Sequence, residues 1–487
     1  MKLSRLVAPA LLLSLIIPIS ARSAMPATRT TVYQSAPRAV SAATTTVLTG
    51  TIGAAAYKIE VPAPWNGTLV LYSHGYVVPG QANPATDVGD PITGAWLLGH
   101  GYALAGSSYS GAGWALQQAF QDQTALLDFF ASKVGRPTRT IAWGHSLGGI
   151  ITAGLVQKYP QRFAGALPMC GVLAGGVGTW NQSLDAAFAF KALLAPDSAL
   201  QLVHITDPVA NARLSEQILS AAQQTPVGRA RIALSVALSD APGWYDPTSP
   251  EPAHSDVAAQ EQNQFLWAQN VDFPFLFALR AELEQRAGGN VSSNVGVIYL
   301  LQLLRSSDFA EVRALYAQAG LNLLADMRRV QITPRIAADP GAVNYLVNNI
   351  VFNGQLGAPG GAPIPVLTMH TTGDGLVQVQ QEQAYARTVQ SAGNGDLLRQ
   401  IYVHRAGHCS FTPAETVTAF QTLVHRLDTG AWDNTGDTQA LNNAATALGP
   451  NFNVFLSANG ASPTAPAFVP FHPSVFLRPF DYRSLGS

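Results

Sequence analysis

Charge is scarce in this 487-residue sequence: only 12% of its residues are Asp, Glu, Lys or Arg, and lysine occurs at just five positions. The 28 basic and 29 acidic residues nearly cancel, to a formal net charge of −1. A chain with no net field and no basic run has little to recruit nucleic acid or an anionic membrane, so neither is expected as a partner. Cysteine is scarcer still, with Cys170 and Cys409 alone. Two cysteines without clustered histidines cannot build a structural zinc site of the usual spacing, and neither an HExxH stretch nor an EF-hand loop occurs. No metal and no cofactor is expected. What the chain has in quantity is apolar residues, 47% of the total. That content argues for a large core, and the length for one large domain with an insertion or for two domains.

Long apolar runs are also missing, except near the start. Lys2 and Arg5 precede an uncharged stretch, Leu6 to Ala21, which Pro9 and Pro18 interrupt. Ala21-Arg22-Ser23 follows with small residues at the −3 and −1 positions of a cleavage site, so residues 1–23 read as a signal peptide rather than a membrane anchor. No cysteine follows the stretch to carry a lipid. The expectation is an exported protein, extracellular or periplasmic, with no stable membrane anchor. In that compartment an even pair of cysteines is expected to be bridged.

Residues 24–44 are rich in Ala, Thr, Ser and Pro without periodicity and read as a flexible lead-in. From Thr45 the pattern changes. Thr46–Thr51 and Tyr57–Val61 suggest a hairpin, and Pro64-Trp65-Asn66-Gly67 a turn before the apolar strand Thr68–Tyr72. Strands at Tyr102–Ser107, Thr140–Trp143 and Ala164–Met169 then alternate with helical patterns over 114–134 and 148–159. That alternation predicts a mostly parallel sheet covered on both faces. Between 172 and 361 the spacing is helical, with Ser183–Leu194, Asn211–Ala222, Val257–Gln285 and Phe309–Ala319 the clearest segments. Sheet texture returns with strands Val366–His370 and Arg399–His404 and helices Gln380–Gln390 and Pro413–Leu427. The reading is an α/β unit over 45–171 and 362–429, a helical cap inserted at 172–361, and a loop-rich surface extension from 430 to 487.

Gly144-His145-Ser146-Leu147-Gly148 is a G-x-S-x-G match lying between a predicted strand and a predicted helix. There a strained turn pushes a serine hydroxyl out at the sheet's C-terminal edge, and flanking glycines remove clashing side chains. A serine hydroxyl is a weak nucleophile that needs a base, and the base needs an orienting acid. His408, in the loop after the last predicted strand, is the best-placed base; His370, His404 and His425 read as packing or surface residues. Asp374, in a Gly-rich turn after the preceding strand, is the candidate acid. Its rival Asp396 falls at the wrong end of the sheet. The order Ser146, Asp374, His408 is the one this architecture requires. Oxyanion donors are expected from the backbone N–H of Leu147 and of Tyr76, the latter in the loop Ser73-His74-Gly75-Tyr76. Cys170 directly follows the strand beside the nucleophile strand and Cys409 directly follows His408, so a Cys170–Cys409 disulfide bracing the catalytic loop is expected.

Together these residues resemble the α/β-hydrolase superfamily, in its exported serine esterase and lipase-like branch with a large helical cap. The resemblance covers about 45–171 and 365–427. It implies the α/β-hydrolase fold, a mostly parallel central sheet flanked by helices, and a Ser–His–Asp acyl-enzyme mechanism on a small-molecule or polymeric ester. Three other readings use the same residues. A peptidase of this fold needs a charged anchor for a peptide terminus, for which Asp246 and Glu284 are candidates. An acyltransferase shares the machinery. A noncatalytic binding protein on this scaffold would usually lack a triad member. The cap is expected to roof the site, with Trp180, Phe188, Phe265, Trp267 and Phe275 as candidate linings. Acyl specificity and oligomeric state are left open.

Overall fold

A computed structural model describes residues 44–433, 436–458 and 460–479. The signal peptide and nearly all of the lead-in expected from the sequence lie outside these residues. Eleven strands are described: β1 (Thr45–Ile52), β2 (Ala55–Pro62), β3 (Thr68–Ser73), β4 (Ala103–Ser107), β5 (Arg139–His145), β6 (Gly165–Met169), β7 (Val366–Gly373), β8 (Leu398–Ala406), β9 (Val454–Ser457), β10 (Gly460–Pro463) and β11 (Phe468–Val469). Nine of them form one sheet in the order β1-β2-β4-β3-β5-β6-β7-β8-β11. The six strands from β4 to β8 in that order run parallel, and β1, β2 and β11 are antiparallel at the edges. This is the α/β-hydrolase fold.

The centre of the sheet is apolar on both faces. β3, β4 and β6 have no exposed residue, as parallel strands covered by helices on both sides require. One face packs on the helices Leu116–Lys133 and Leu147–Lys158, through Phe120, Phe130, Ile150 and Ile151. The other packs on Pro91–Gly99 and Pro413–Thr429, through Leu97, Phe420 and Leu423. Among the described residues no helix is long and apolar enough to cross a membrane.

Between β6 and β7 the chain forms helices from Gly175–Leu194 to Ala342–Asn349, with an apolar core of their own. Two segments differ from the sequence reading. The first helix begins at Gly175 rather than Ser183, because Gly175, Gly176 and Gly178 mask the helical pattern, while Gly176 and Gly178 allow close packing. Gly178 meets the carbonyl of Arg478 and the Phe476 ring, and a Cβ there would lie 3.0 and 3.2 Å from them. The stretch Val257–Gln285, expected as one helix, is broken into an α-helix to Trp267, π-helical turns at Ala268–Asp272 and Phe275–Leu279, and a final α-helix from Arg280. Pro274 lacks an N–H, so the ladder cannot run through it and shifts register on either side.

The extension after 429 is more ordered than its Pro-rich composition suggests. It carries a helix, Thr438–Ala447, which Asp437 caps, and the β9–β10 hairpin. β11 then closes the sheet edge against β8, pairing Phe468 with Val403. Phe476 is fully buried.

Candidate active site

Ser146 sits in the tight turn between β5 and the helix Leu147–Lys158, at φ +59° and ψ −122°. Such a conformation costs a non-glycine residue energy and persists only where its surroundings enforce it. Two glycines permit the turn. A Cβ on Gly148 would lie 1.9 Å from the Ser73 carbonyl oxygen, and one on Gly144 would lie 2.5 Å from the same atom. Only bare backbone lets β3 and the new helix approach so closely. Cys170 and Cys409 also adopt positive φ, +43° and +55°, so backbone strain gathers around one point at the sheet's C-terminal edge.

The loop after β8 brings His408 to that point. Its Nε2 lies 2.7 Å from Ser146 Oγ, and its Nδ1 lies 2.7 Å from Asp374 Oδ2. A carboxylate only accepts, so Nδ1 carries a proton, and in neutral imidazole Nε2 is then free to accept from the serine hydroxyl. Two features fix the loop. Beneath it, Arg405 forms a buried, two-pronged ion pair with Glu415 at 2.7 and 2.9 Å and also donates to the Ser410 carbonyl. Beside it, Cys409 is disulfide-bonded to Cys170, with Cα atoms 5.4 Å apart.

Asp374 is fully buried, and its Oδ1 accepts from the N–H groups of Leu376 and Val377 at 3.1 and 3.0 Å. Burial alone would raise its pKa, but the charges and hydrogen bonds of His408 and His370 hold it below the ordinary carboxylate value. The rival Asp396 lies in a short 3-10 turn before β8, at the other end of that strand from His408. His404 is exposed and pairs with Glu251, and His425 is exposed on its helix. His145, next to the serine, stays neutral, because burial and the nearby His408 lower it to about 4.

Leu147 is the first residue of its helix, so its N–H has no intrahelical acceptor and sits at the positive end of the helix dipole. The loop after β3 passes directly beside the serine: a Cβ on Gly75 would be 3.4 Å from Ser146 Cβ. Tyr76 follows, with its ring edge-on to Phe275 at 5.2 Å.

Ser146 opens into a cleft whose empty space, including its mouth, is about 780 Å³. Tyr76, Leu147, Leu376 and Gln378 of the α/β unit line one side; the helical insertion supplies the other. Of the five aromatics singled out in the sequence, Trp180 and Phe275 line the cleft. Phe188 and Phe265 belong to the insertion's own core, and Trp267 packs on Tyr245 and against Gly375. Asp246 and Glu284 do not reach the cleft: Asp246 caps its own turn at Thr248 and Ser249, and Glu284 is buried with Arg280. The carboxyl that does line it is Asp272, at the end of the first π-helical turn, which the sequence reading missed. Burial and the adjacent Asp374 charge raise its pKa well above the ordinary value. Among the described residues no group of His, Cys, Asp and Glu has the geometry of a metal site.

Of the two places the sequence leaves open for His370, packing or surface, it takes the first. It is fully buried one shell behind Asp374, with Nδ1 3.0 Å from Glu382 Oε1, and Nε2 2.8 Å from the Val377 carbonyl and 3.5 Å from Asp374 Oδ2.

The chain is 28% identical over 407 residues to an o-phthalyl amidase from Xanthobacter agilis, covering 78% of this chain and 86% of that protein. Among solved structures it is similar to an esterase from Aspergillus oryzae, with a TM-score of 0.42 at 11% identity, covering 89% of this chain and 88% of that one. It is also similar to feruloyl esterase B from the same organism, with a TM-score of 0.40 at 15% identity and coverage of 86% and 85%. A family model matches residues 41–423, which take in Ser146, Asp374, His408 and the whole insertion: the chain belongs to the tannase-like family of unknown function (DUF6351).

Proposed function

We propose that the protein is an exported serine hydrolase of carboxylic esters. The observation that carries this reading is the unbroken line of hydrogen bonds from Ser146 through His408 to Asp374, 2.7 Å at each step, at the wall of an apolar cleft. In this reading Ser146 Oγ attacks the ester carbonyl while His408 Nε2 takes its proton. The tetrahedral oxyanion is held by the N–H groups of Leu147 and Tyr76. His408 returns the proton to the leaving alkoxide, giving the alcohol and an acyl-Ser146. Water, deprotonated by His408, then attacks the acyl carbon, and collapse of the second tetrahedral species frees the acid and restores Ser146. Asp374 stays ionised throughout, holding the tautomer of His408 and stabilising its cationic form. No cofactor enters.

The insertion serves as a cap that roofs the serine and holds the acyl group. Its wall of Trp180, Phe273, Phe275 and Leu276 suits an apolar or aromatic acyl group. The disulfide and the basic, apolar start of the sequence support export. A second reading, hydrolysis of an amide of an aromatic acid, is favoured by the similarity to an o-phthalyl amidase, since the same machinery expels a protonated amine. A panel of p-nitrophenyl esters of graded acyl length, run beside the matching anilides, separates the two. Ester turnover with Ser146 labelled by a fluorophosphonate supports the first reading, whereas an unlabelled Ser146 in active enzyme sinks both.

A further inference from the structure

Behind the triad lies a second histidine–carboxylate pair that the mechanism above does not use. His370, on β7, has both ring nitrogens turned toward acceptors: Nδ1 toward Glu382 Oε1 at 3.0 Å, and Nε2 toward the Val377 carbonyl at 2.8 Å. A neutral imidazole has one N–H and one lone pair, so it satisfies only one of these contacts. Glu382 is organised as an acceptor as well. Its Oε2 receives the Thr368 hydroxyl and the Gln400 amide, each at 2.5 Å, and it is completely buried. A ring with two donors against a carboxylate with three donors describes an imidazolium–carboxylate pair sealed from water.

We infer that His370 is a positioning residue: a permanently charged imidazolium, balanced by Glu382, whose field keeps Asp374 ionised behind His408. The inference rests on the proposed function of the triad and deepens it. Its logic is electrostatic. Asp374 is fully buried, and each turnover returns His408 to its neutral form, which leaves Asp374 without a countercharge on that side. A buried, uncompensated carboxylate takes up a proton, and a protonated Asp374 no longer orients the base. His370 Nε2 stands 3.5 Å from Asp374 Oδ2, the same oxygen that receives His408 Nδ1, so a fixed positive charge remains beside it in every state. Burial by itself would lower the His370 pKa, but the hydrogen bonds and charges of Asp374 and Glu382 overcome it and raise it to about 10. Apart from His408 in its cationic form, the titratable groups that face this cluster among the described residues are not cations: Tyr385 and Tyr402 lie beside Glu382 and are pushed far up, and Asp272 lies across Asp374.

Two measurements test this. In the wild-type protein with 13C,15N-labelled histidine and carbonyl-13C methionine, both His370 ring nitrogens are expected at imidazolium shifts from pH 5 to 9, assigned through Met369–His370, the one Met–His pair of the sequence. One protonated and one bare nitrogen in that range overturns the proposal, whether or not any variant folds. In His370→Gln, loss of the positive charge is expected to move the acid limb of kcat/KM to higher pH by roughly one unit, with KM little changed. A uniform loss of kcat with the limb unmoved reports mere packing and also overturns it. Ser146→Ala is run in parallel: full activity there removes the triad reading, while the nitrogen shifts still decide the charge of His370.

Discussion

Arg478 is ion-paired with Asp185, 293 residues earlier in the chain, at 2.5 Å between Nη1 and Oδ2. Asp185 is wholly buried in the first helix of the insertion, where it also accepts from Tyr299 and Gln302. The last described residues therefore form a strap. They leave the sheet edge at β11, bury Phe476 against Gly178, and reach the first helix of the insertion at Arg478. Arg478→Ala strands a buried carboxylate and is expected to cost on the order of 3 kcal/mol. The change should appear as a lower urea midpoint and faster proteolysis within 175–349. An unchanged midpoint speaks against the strap.

Gly148→Ala is a sharper test of the turn than replacement of the serine. The new methyl would need to occupy space 1.9 Å from a backbone oxygen that cannot move without disturbing β3. We expect activity to fall at least a hundredfold, with loss of fluorophosphonate labelling at Ser146. Retained labelling would show that the β3 loop yields.

The disulfide braces the loop that carries His408. Closing a loop of 239 residues is worth roughly 5 kcal/mol in the chain-entropy account. Cys409 Sγ also lies 3.4 Å from His408 Nε2, so freeing the bond disturbs the base directly. Mild reduction, or Cys170→Ser, is expected to lower kcat more than it raises KM, before the domain melts. Thiol titration of the denatured, unreduced protein should find no reactive thiol; two per chain rule the bridge out.

Stability should fall with rising pH because the insertion buries acids and so penalises their ionised forms, in Glu261 by more than the charge of Arg229 offsets. Burial raises Asp240 to about 6 and Glu261 to about 7; burial and the Glu261 charge raise Glu311 to about 8. Ordinary carboxyls titrate near 4, so the folded state holds protons that the unfolded chain has released. Their contribution is complete below about pH 4 and disappears as pH rises through 6 to 8. Urea midpoints between pH 5 and 9 check this, and a midpoint that climbs across that range contradicts it.

Asp272→Leu removes the one carboxyl of the cleft wall. With an apolar acyl group the variant should bind more tightly, with KM lower by roughly threefold to tenfold, since less desolvation opposes binding. An unchanged KM across a series of apolar esters would place Asp272 outside the acyl path.

The α/β architecture was legible because its signals are local. β3, β5 and β6 are short apolar runs bounded by turns, and the G-x-S-x-G turn declares its glycines. Ser146, His408 and Asp374, each within hydrogen-bond distance of the next, and the two bridged cysteines could be named as neighbours from their places after predicted strands, since topology brings those strand ends to one edge. Residues whose meaning comes from distant neighbours were not legible. His370 looked like any histidine in a buried strand, because its partner Glu382 is on the helix that follows and Asp374 is recognised only as the acid of the triad. Asp272 was concealed within a helical pattern, because only the register shift around Pro274 and the packing of the insertion aim it at the serine's cleft. The Pro-rich tail promised loops, yet β11 pairs with β8 and Arg478 reaches Asp185, contacts that local propensity does not encode. Local signals along the chain set the alternation of strands and helices, the turn chemistry and the reactive residue types, while the order of strands in the sheet came from the fold. Tertiary structure alone decided which buried charges face one another, since a charge out of water is set by whatever lies within a few ångströms and not by its neighbours along the chain.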